Sequence, residues 1–259
     1  MERSWMHARV ARPTNGVPTD HSDTLSTVVP ALVAQLRDAD PDGHWYFNRP
    51  PDRHLDLGFY ATDPLLAELD GSLRACRPCA TSGRRRPWIT DAAHVGTLAE
   101  VGSDLALAFV AAGGLPEQAE LPLAVEHLRD LLQLVYVKDR LGFLSMYWQH
   151  QARSLTPAAR QELALVADTE AEKIVMAADE LCLPPELAAA WHPYLDTVHT
   201  VIERRTWRGD EPSAYLLFHH LRLTHERLGL TPDVDALAAL ALRIAMGRAE
   251  GRPVARVAA

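Results

Sequence analysis

Residues 44 to 64 read HWYFNRPPDRHLDLGFYATDP. Two runs of alternating polarity flank a proline-rich turn. Trp45 and Phe47 alternate with His44, Tyr46 and Asn48, while Leu55, Leu57 and Phe59 alternate with His54, Asp56, Gly58 and Tyr60. Successive side chains of a strand point to opposite faces, so the pattern predicts an antiparallel hairpin with one apolar and one polar face. The polar face has two possible uses. It meets solvent, as one side of many antiparallel sheets does, or it looks into a cavity with His54, Asp56 and Tyr60 as its functional groups.

Helical patterns surround the hairpin. Upstream, Leu25, Val28, Val29, Leu32, Val33 and Leu36 share one helical face that ends at the turn Asp40-Pro41-Asp42-Gly43. Downstream, "TDPLLAELDGSLRAC" opens with a capping residue before proline, a helix start. Residues 77 to 87 are rich in Pro, Gly, Ser, Thr and Arg and read as loop, with "PWIT" (87 to 90) as a short strand. Helices are then predicted near 91–113, 118–136, 138–153, 157–182, 185–206, 211–229 and 232–248. Thr156 and Thr231, each followed by proline, are N-caps, and Gly229 is a C-cap. The fold class is therefore α+β, a mostly helical domain with a small antiparallel sheet from the N-terminal third. Residues 1–23 lack apolar periodicity and read as a mobile tail, 24–250 as a single domain, and 251–259 as a disordered tail.

Composition narrows the function. A 47% hydrophobic, 23% charged chain is ordinary for a globular protein. No run approaches the roughly 18 apolar residues that cross a bilayer, and the N-terminus lacks the apolar core of a signal peptide. A cytoplasmic protein with no membrane partner is expected. Three cysteines are too few for a disulfide framework, and the pair in "CRPC", Cys76 and Cys79, has no second pair to complete a zinc site. Net charge is −8 and the basic residues are scattered, apart from Arg84, Arg85 and Arg86 and the run "ERRTWR", so nucleic acid is not an expected partner.

The second informative stretch is "EPSAYLLFHHLRLTHERLGL", residues 211 to 230. At helical spacing Tyr215, His219 and Arg222 lie on one stripe, His220 on its neighbour, and Ser213 begins the turn below. His219 and His220 point about 100° apart and His220 and His225 are five residues apart, so neither pair has the four-residue spacing that suits a zinc on one helix, and no metal is expected. The face is either a solvated surface or a pocket wall where histidine and arginine move protons or hold an anion. "SMYWQHQ" is similarly ambiguous, with Tyr147 sharing a face with His150 and Gln151.

Together the two stretches resemble the thiopeptide-type bacteriocin biosynthesis domain. Its members include the C-terminal elimination domain of lanthipeptide dehydratases and the stand-alone pyridine synthases of thiopeptide pathways. The opening "PALVAQLRDADPDGHWYFNRPPDRHLDLGFY" resembles the family's Trp/Phe-rich strand, turn and His-Leu-Arg-Leu-Arg-Phe strand, and Arg227, Leu228 and Gly229 match its closing Arg-Leu-Gly. The departures matter. Where glutamate-eliminating members carry two strand arginines, this chain has Asp56 and Gly58; the Tyr-x-Pro-Glu segment is absent, and Arg222 stands at the closing histidine position. An aspartate repels a glutamyl carboxylate that an arginine would pair with.

The resemblance thus implies the pyridine-synthase branch. A formal four-plus-two cycloaddition of two dehydroalanines in a precursor peptide would build the six-membered ring, with loss of water and the leader. No cofactor is implied, and the partners are the modified precursor peptide with its leader and other enzymes of the pathway. The implied catalytic set is His54, Tyr60, Ser213, Tyr215, His219, His220 and Arg222. Tyr46, Asn48, Asp56 and Tyr147 would contact the substrate, and Arg84, Arg85 and Arg86 would receive the leader. The alternatives are a glutamate-elimination subunit of a split dehydratase and a non-catalytic leader-binding partner.

Overall fold

The computed structural model describes residues 3–11, 23–49, 54–77, 80–85, 92–116, 118–208 and 213–251. The elements run β1 (Arg3–Val10), α1 (Val29–Ala39), β2 (His44–Asn48), β3 (Leu55–Thr62), α2 (Asp63–Cys76), β4 (Thr81–Arg85), α3 (Ala92–Ala111), α4 (Glu120–Leu132), α5 (Arg140–Gln151), α6 (Pro157–Asp179), α7 (Pro185–Arg208), α8 (Ser213–Leu228) and α9 (Pro232–Ala249). The α+β class holds, with one antiparallel sheet. Two compact units divide the chain: Met1–Gly114 with Glu226–Leu228, and Leu115–His225 with Gly229–Ala259.

In the first unit the strands lie in the order β2-β3-β1-β4. The register puts Trp45, Phe59 and Met6 in one row and Phe47, Leu57 and Ala8 in the next. These six are buried, and α2 packs on β3 and β1 while α3 packs on β2. The predicted apolar face that leads into and along α1 is buried through Leu25, Val28, Val29, Leu32, Val33 and Leu36, and α2 buries Leu66, Leu69 and Leu73.

Two expectations are corrected here. Residues 3–10, expected in a mobile tail, form β1 in the middle of the sheet, because Met6, Ala8 and Val10 alternate inward and both strand edges find partners. Residues 81–85, expected as loop, form β4, since the outer edge of β1 supplies the hydrogen bonds that this polar segment would otherwise make with water. Residues 12–22 and 252–259 of the expected tails, Cys79 and the expected strand at 87–90 lie outside the described residues.

Strand β2 is an edge, and edges leave backbone groups open to wrong pairing. Here Phe47 N–H donates to Ser103 Oγ (3.2 Å) and Phe47 C=O accepts from Arg227 Nε (2.6 Å). Arg227 Nη2 also donates to Asn48 Oδ1 at 3.0 Å. The Arg-Leu-Gly run therefore has a structural part. Arg227, 1% exposed, closes the sheet edge, Leu228 is buried, and Gly229 ends the helix at φ +86°.

The second unit is helical. α9 is packed by α4, α5 and α6, and its alanines Ala236, Ala238, Ala239 and Ala241 are buried. Small side chains all round let three neighbours approach one helix. Thr156 caps α6 as predicted, accepting from Ala159 N at 3.2 Å. No helix among the described residues is long and apolar enough to cross a membrane.

Candidate functional site

The stripe read on α8 splits into an outer and an inner set. Outward lie Tyr215, which is exposed, and His219 and Arg222, which are half-buried. Tyr215 meets the His219 ring edge to face at 4.4 Å, and Phe218 makes the same kind of contact with His150 of α5 at 5.3 Å. Partial burial, then the Arg222 charge, lowers the His219 pKa from its usual range; burial, Arg222, Arg153 and His219 do the same to His150. Two imidazoles are thus kept unprotonated beside guanidinium groups, so the face offers proton acceptors and fixed positive charge together.

His220 turns the other way. It is 4% exposed and starts a hydrogen-bonded chain through the interior of the second unit. His220 Nε2 meets Tyr194 Oη (2.8 Å), Tyr194 Oη meets His127 Nε2 (2.7 Å), and His127 Nδ1 meets His225 Nε2 (2.9 Å). His225 Nδ1 then reaches Asp235 Oδ1 at 2.6 Å. The other carboxylate oxygen accepts from Gln151 Nε2 (2.5 Å) and Tyr147 Oη (3.3 Å). Burial first, then His225 and His220, holds the His127 pKa well below 6.5, and burial with Asp235 pushes the Tyr147 phenol well above 10. His127, Tyr194 and Asp235 carried no signal in the sequence. Each is one polar residue in a different helix, and His127 and His225 are 98 residues apart.

On the polar face of the sheet the side chains largely engage one another. One row holds His44, Tyr60 and Trp5, the next Tyr46, Gly58 and His7, and the third Asn48, Asp56 and Arg9. His44 pairs with Glu100 of α3 at 2.8 Å and stacks on Tyr60. Tyr46 Oη bonds His7 Nδ1 at 3.1 Å, and its ring lies 5.4 Å from that of Trp5.

Asp56 and Gly58 are both engaged on this face. Asp56 pairs with Arg9 of β1 at 2.8 Å. A Cβ at Gly58 would fall 2.3 Å from Tyr46 Cε1, so the ring occupies the space an arginine stem would need. Trp5, His7 and Arg9 come from β1, the strand the sequence reading missed.

The remaining predicted residues are dispersed. His54 precedes β3 and is half-buried, while Tyr147, expected to face substrate, is fully buried against His225, Asp235 and Gln151. Ser213 opens α8, Arg84 and Arg85 belong to β4, and Arg86 lies outside the described residues. No group of three or more His, Cys, Asp or Glu among the described residues is placed to hold a metal.

Solved structures share this fold. The pyridine synthase TbtD from thiomuracin biosynthesis is similar over 96% of this chain and 99% of its own, with a TM-score of 0.64 and 16% identity. The tRNA-dependent lantibiotic dehydratase MibB from Microbispora sp. 107891 is similar over 96% of this chain and 29% of its own, with a TM-score of 0.63 and 17% identity. TsrL matches over 96% of both chains, with a TM-score of 0.62 and 14% identity. No protein-family model and no curated protein sequence matches the chain.

Proposed function

We propose that this chain is a pyridine-synthase-type cyclase that acts on a precursor peptide in the biosynthesis of a ribosomally made peptide natural product. The observation that carries the proposal is likeness to a pyridine synthase over nearly the whole of both chains. Two dehydroalanines of one peptide, one of them as the iminol tautomer of its amide, join by two new carbon–carbon bonds into a six-membered nitrogen ring. Loss of water and then of the leader as its amide aromatises the ring. The steps are redox-neutral and need only proton transfers and proximity.

The outer face of α8 suits those transfers. His219, kept unprotonated at neutral pH, accepts the amide proton as the iminol forms, and Tyr215 donates to the departing hydroxyl. Arg222 steadies the negative charge that develops between the two. His54 and Tyr60 remain proposed contacts for the peptide, and β4, an edge strand, is the proposed seat of an extended leader segment. The Arg9–Asp56 pair and the Tyr46 ring over Gly58 weigh against glutamate elimination, which would need free cationic groups there.

The test is mass spectrometry of a synthetic thiazole peptide with its leader and two dehydroalanines, incubated with the purified chain. Release of leader amide together with a core lighter by leader and water is the expected result. An unchanged peptide that co-elutes with the protein overturns the catalytic reading in favour of a binding partner, and a glutamylated peptide that loses glutamate overturns it in favour of elimination.

A further inference from the structure

Toward the C-terminal end of α9, Ala245 and Ala249 leave room that larger side chains would fill. A cavity of about 380 Å³ lies there among residues of α4, α5, α6 and α9, within the ~300–1,000 Å³ usual for small-molecule sites. Its apolar lining is Leu132, Val175, Leu242, Ala245, Met246 and Ala249. Leu132 and Leu242 are buried, Val175, Ala245 and Met246 are half-buried and Ala249 is exposed, so the cavity runs from the interior of the second unit to its surface. No aromatic ring lines it. It therefore offers close contacts to an aliphatic body and no stacking platform.

The polar lining is Arg129, Gln133 and Arg140, and their partners decide which head group fits. Arg129 donates to both Glu126 and Asp179, which offset its charge. Gln133 Nε2 donates to Arg129 C=O at 3.4 Å, and Gln133 Oε1 accepts from Arg140 Nη2 at 3.0 Å. Arg140 Nε donates to Val135 C=O at 3.1 Å. Both acceptors on Arg140 are neutral, and no carboxylate among the described residues pairs with it. Two bonds thus fix the guanidinium while its charge stays uncompensated, and Nη1 takes part in neither bond. The one side-chain acceptor of the lining, Gln133 Oε1, is already engaged, so the site presents donors and positive charge, which select an anion over an alcohol or an amine.

We propose that this cavity binds an aliphatic monocarboxylate of medium chain length, with its tail among Leu132, Leu242 and Met246 and its carboxylate on Arg140. The lining sets the tail, since every apolar contact is to an aliphatic or thioether side chain. The charges set the head: of the two guanidiniums, one is offset twice and the other not at all, so one anionic group completes the site. None of the lining residues belongs to α8 or to the buried chain from His220 to Asp235, and the site does not rest on the function proposed above.

The test uses the full chain with carbon-labelled methionine methyl groups, followed by NMR. Met246 lines the cavity, whereas Met6 is buried in the sheet of the first unit, so one methyl reports on the site and the other is the control. Met246→Leu assigns the reporting signal. Sodium decanoate, kept below micelle formation, is expected to shift the Met246 methyl to saturation and leave Met6 in place. From octanoate to dodecanoate the Kd should fall about two- to fourfold per added methylene. Decanol, which has the same tail without the charge, should bind about tenfold more weakly than decanoate, and Arg140→Met should abolish that preference. Ala245→Phe, at a half-buried position, should fill the cavity and remove the shift.

Four results overturn the site: a Met246 signal that does not move, a Met6 signal that moves with it, decanol binding as tightly as decanoate, or a preference for decanoate that survives Arg140→Met. If that variant does not fold, the comparison of decanoate with decanol in the unmodified chain decides alone. Acetyl-trileucine with a free carboxyl terminus carries the same chemistry on a peptide, and tighter binding of it than of decanoate overturns the small acid in favour of a peptide end. The cyclisation assay succeeds or fails independently of this one, so the two proposals fall separately.

Discussion

Gly58→Ala gives opposite predictions from propensity and from structure. Glycine within a strand costs roughly 0.5–1 kcal/mol relative to alanine, so by propensity the substitution stabilises. In the structure the new Cβ lies 2.3 Å from Tyr46 Cε1 and 2.5 Å from Cζ. Carbon atoms settle at about 3.5–4 Å, so the ring must move by more than about 1 Å. The ring is held by the Tyr46–His7 hydrogen bond at 3.1 Å and by Trp5 at 5.4 Å between centroids. The hydrogen bond is worth about 1 kcal/mol, the ring pair about 0.5–1.5, and overpacking adds about 1–3.

After the propensity gain, a net loss of about 1.5–5 kcal/mol is expected from equilibrium urea unfolding. Tyr46→Ala removes the obstacle, so in that background Gly58→Ala should be neutral or stabilise by up to about 1 kcal/mol, a coupling of about 1.5–6 kcal/mol. Stabilisation by Gly58→Ala alone, or coupling within about 0.5 kcal/mol, would refute the claim that the Tyr46 ring is what requires glycine here.

Three further outcomes are expected. Arg227→Met removes two hydrogen bonds made by a buried guanidinium to Phe47 and Asn48, and should cost about 2–4 kcal/mol in urea unfolding; a loss below about 1 kcal/mol would mean that the edge of β2 closes without it. Because the folded pKa of His127 is lowered, only the unfolded chain takes up this proton as pH drops below 6.5. The stability present above that value therefore falls toward the folded pKa at about 1.4 kcal/mol per pH unit from this group, and His127→Gln should flatten the slope; an unchanged slope contradicts the assignment. His219→Gln and Arg222→Gln, on the partly exposed face of α8, should each lower peptide conversion by about 10²–10⁴-fold while stability stays within about 0.5 kcal/mol. Full conversion by both variants would remove that face from the mechanism.

What could be known from sequence follows from what periodicity measures. Alternation in residues 44 to 60 reports which faces are buried, so the hairpin, its apolar row and the seven later helices were predicted to within a few residues of their observed ends. Gly229 and Thr156 were legible for the same reason, since a left-handed φ and a cap bond are local demands. β4 had no such signal. Thr81–Arg85 contains no large apolar residue and is a strand because β1 presents an unpaired edge to it. β1 itself alternates only through Met6, Ala8 and Val10, and its register was decided by β3, about 50 residues away.

The site divides in the same way. The sequence determined that Tyr215, His219 and Arg222 share a stripe of one helix, because 3.6 residues per turn is a property of the backbone. Tertiary packing alone decided that His220 faces inward and that four further polar residues, from α4, α7, α8 and α9, join it in a single hydrogen-bonded chain. Each of those helices carries its polar residue among apolar neighbours. Only when the helices come together does the cost of burying one polar group become the reason the next is there.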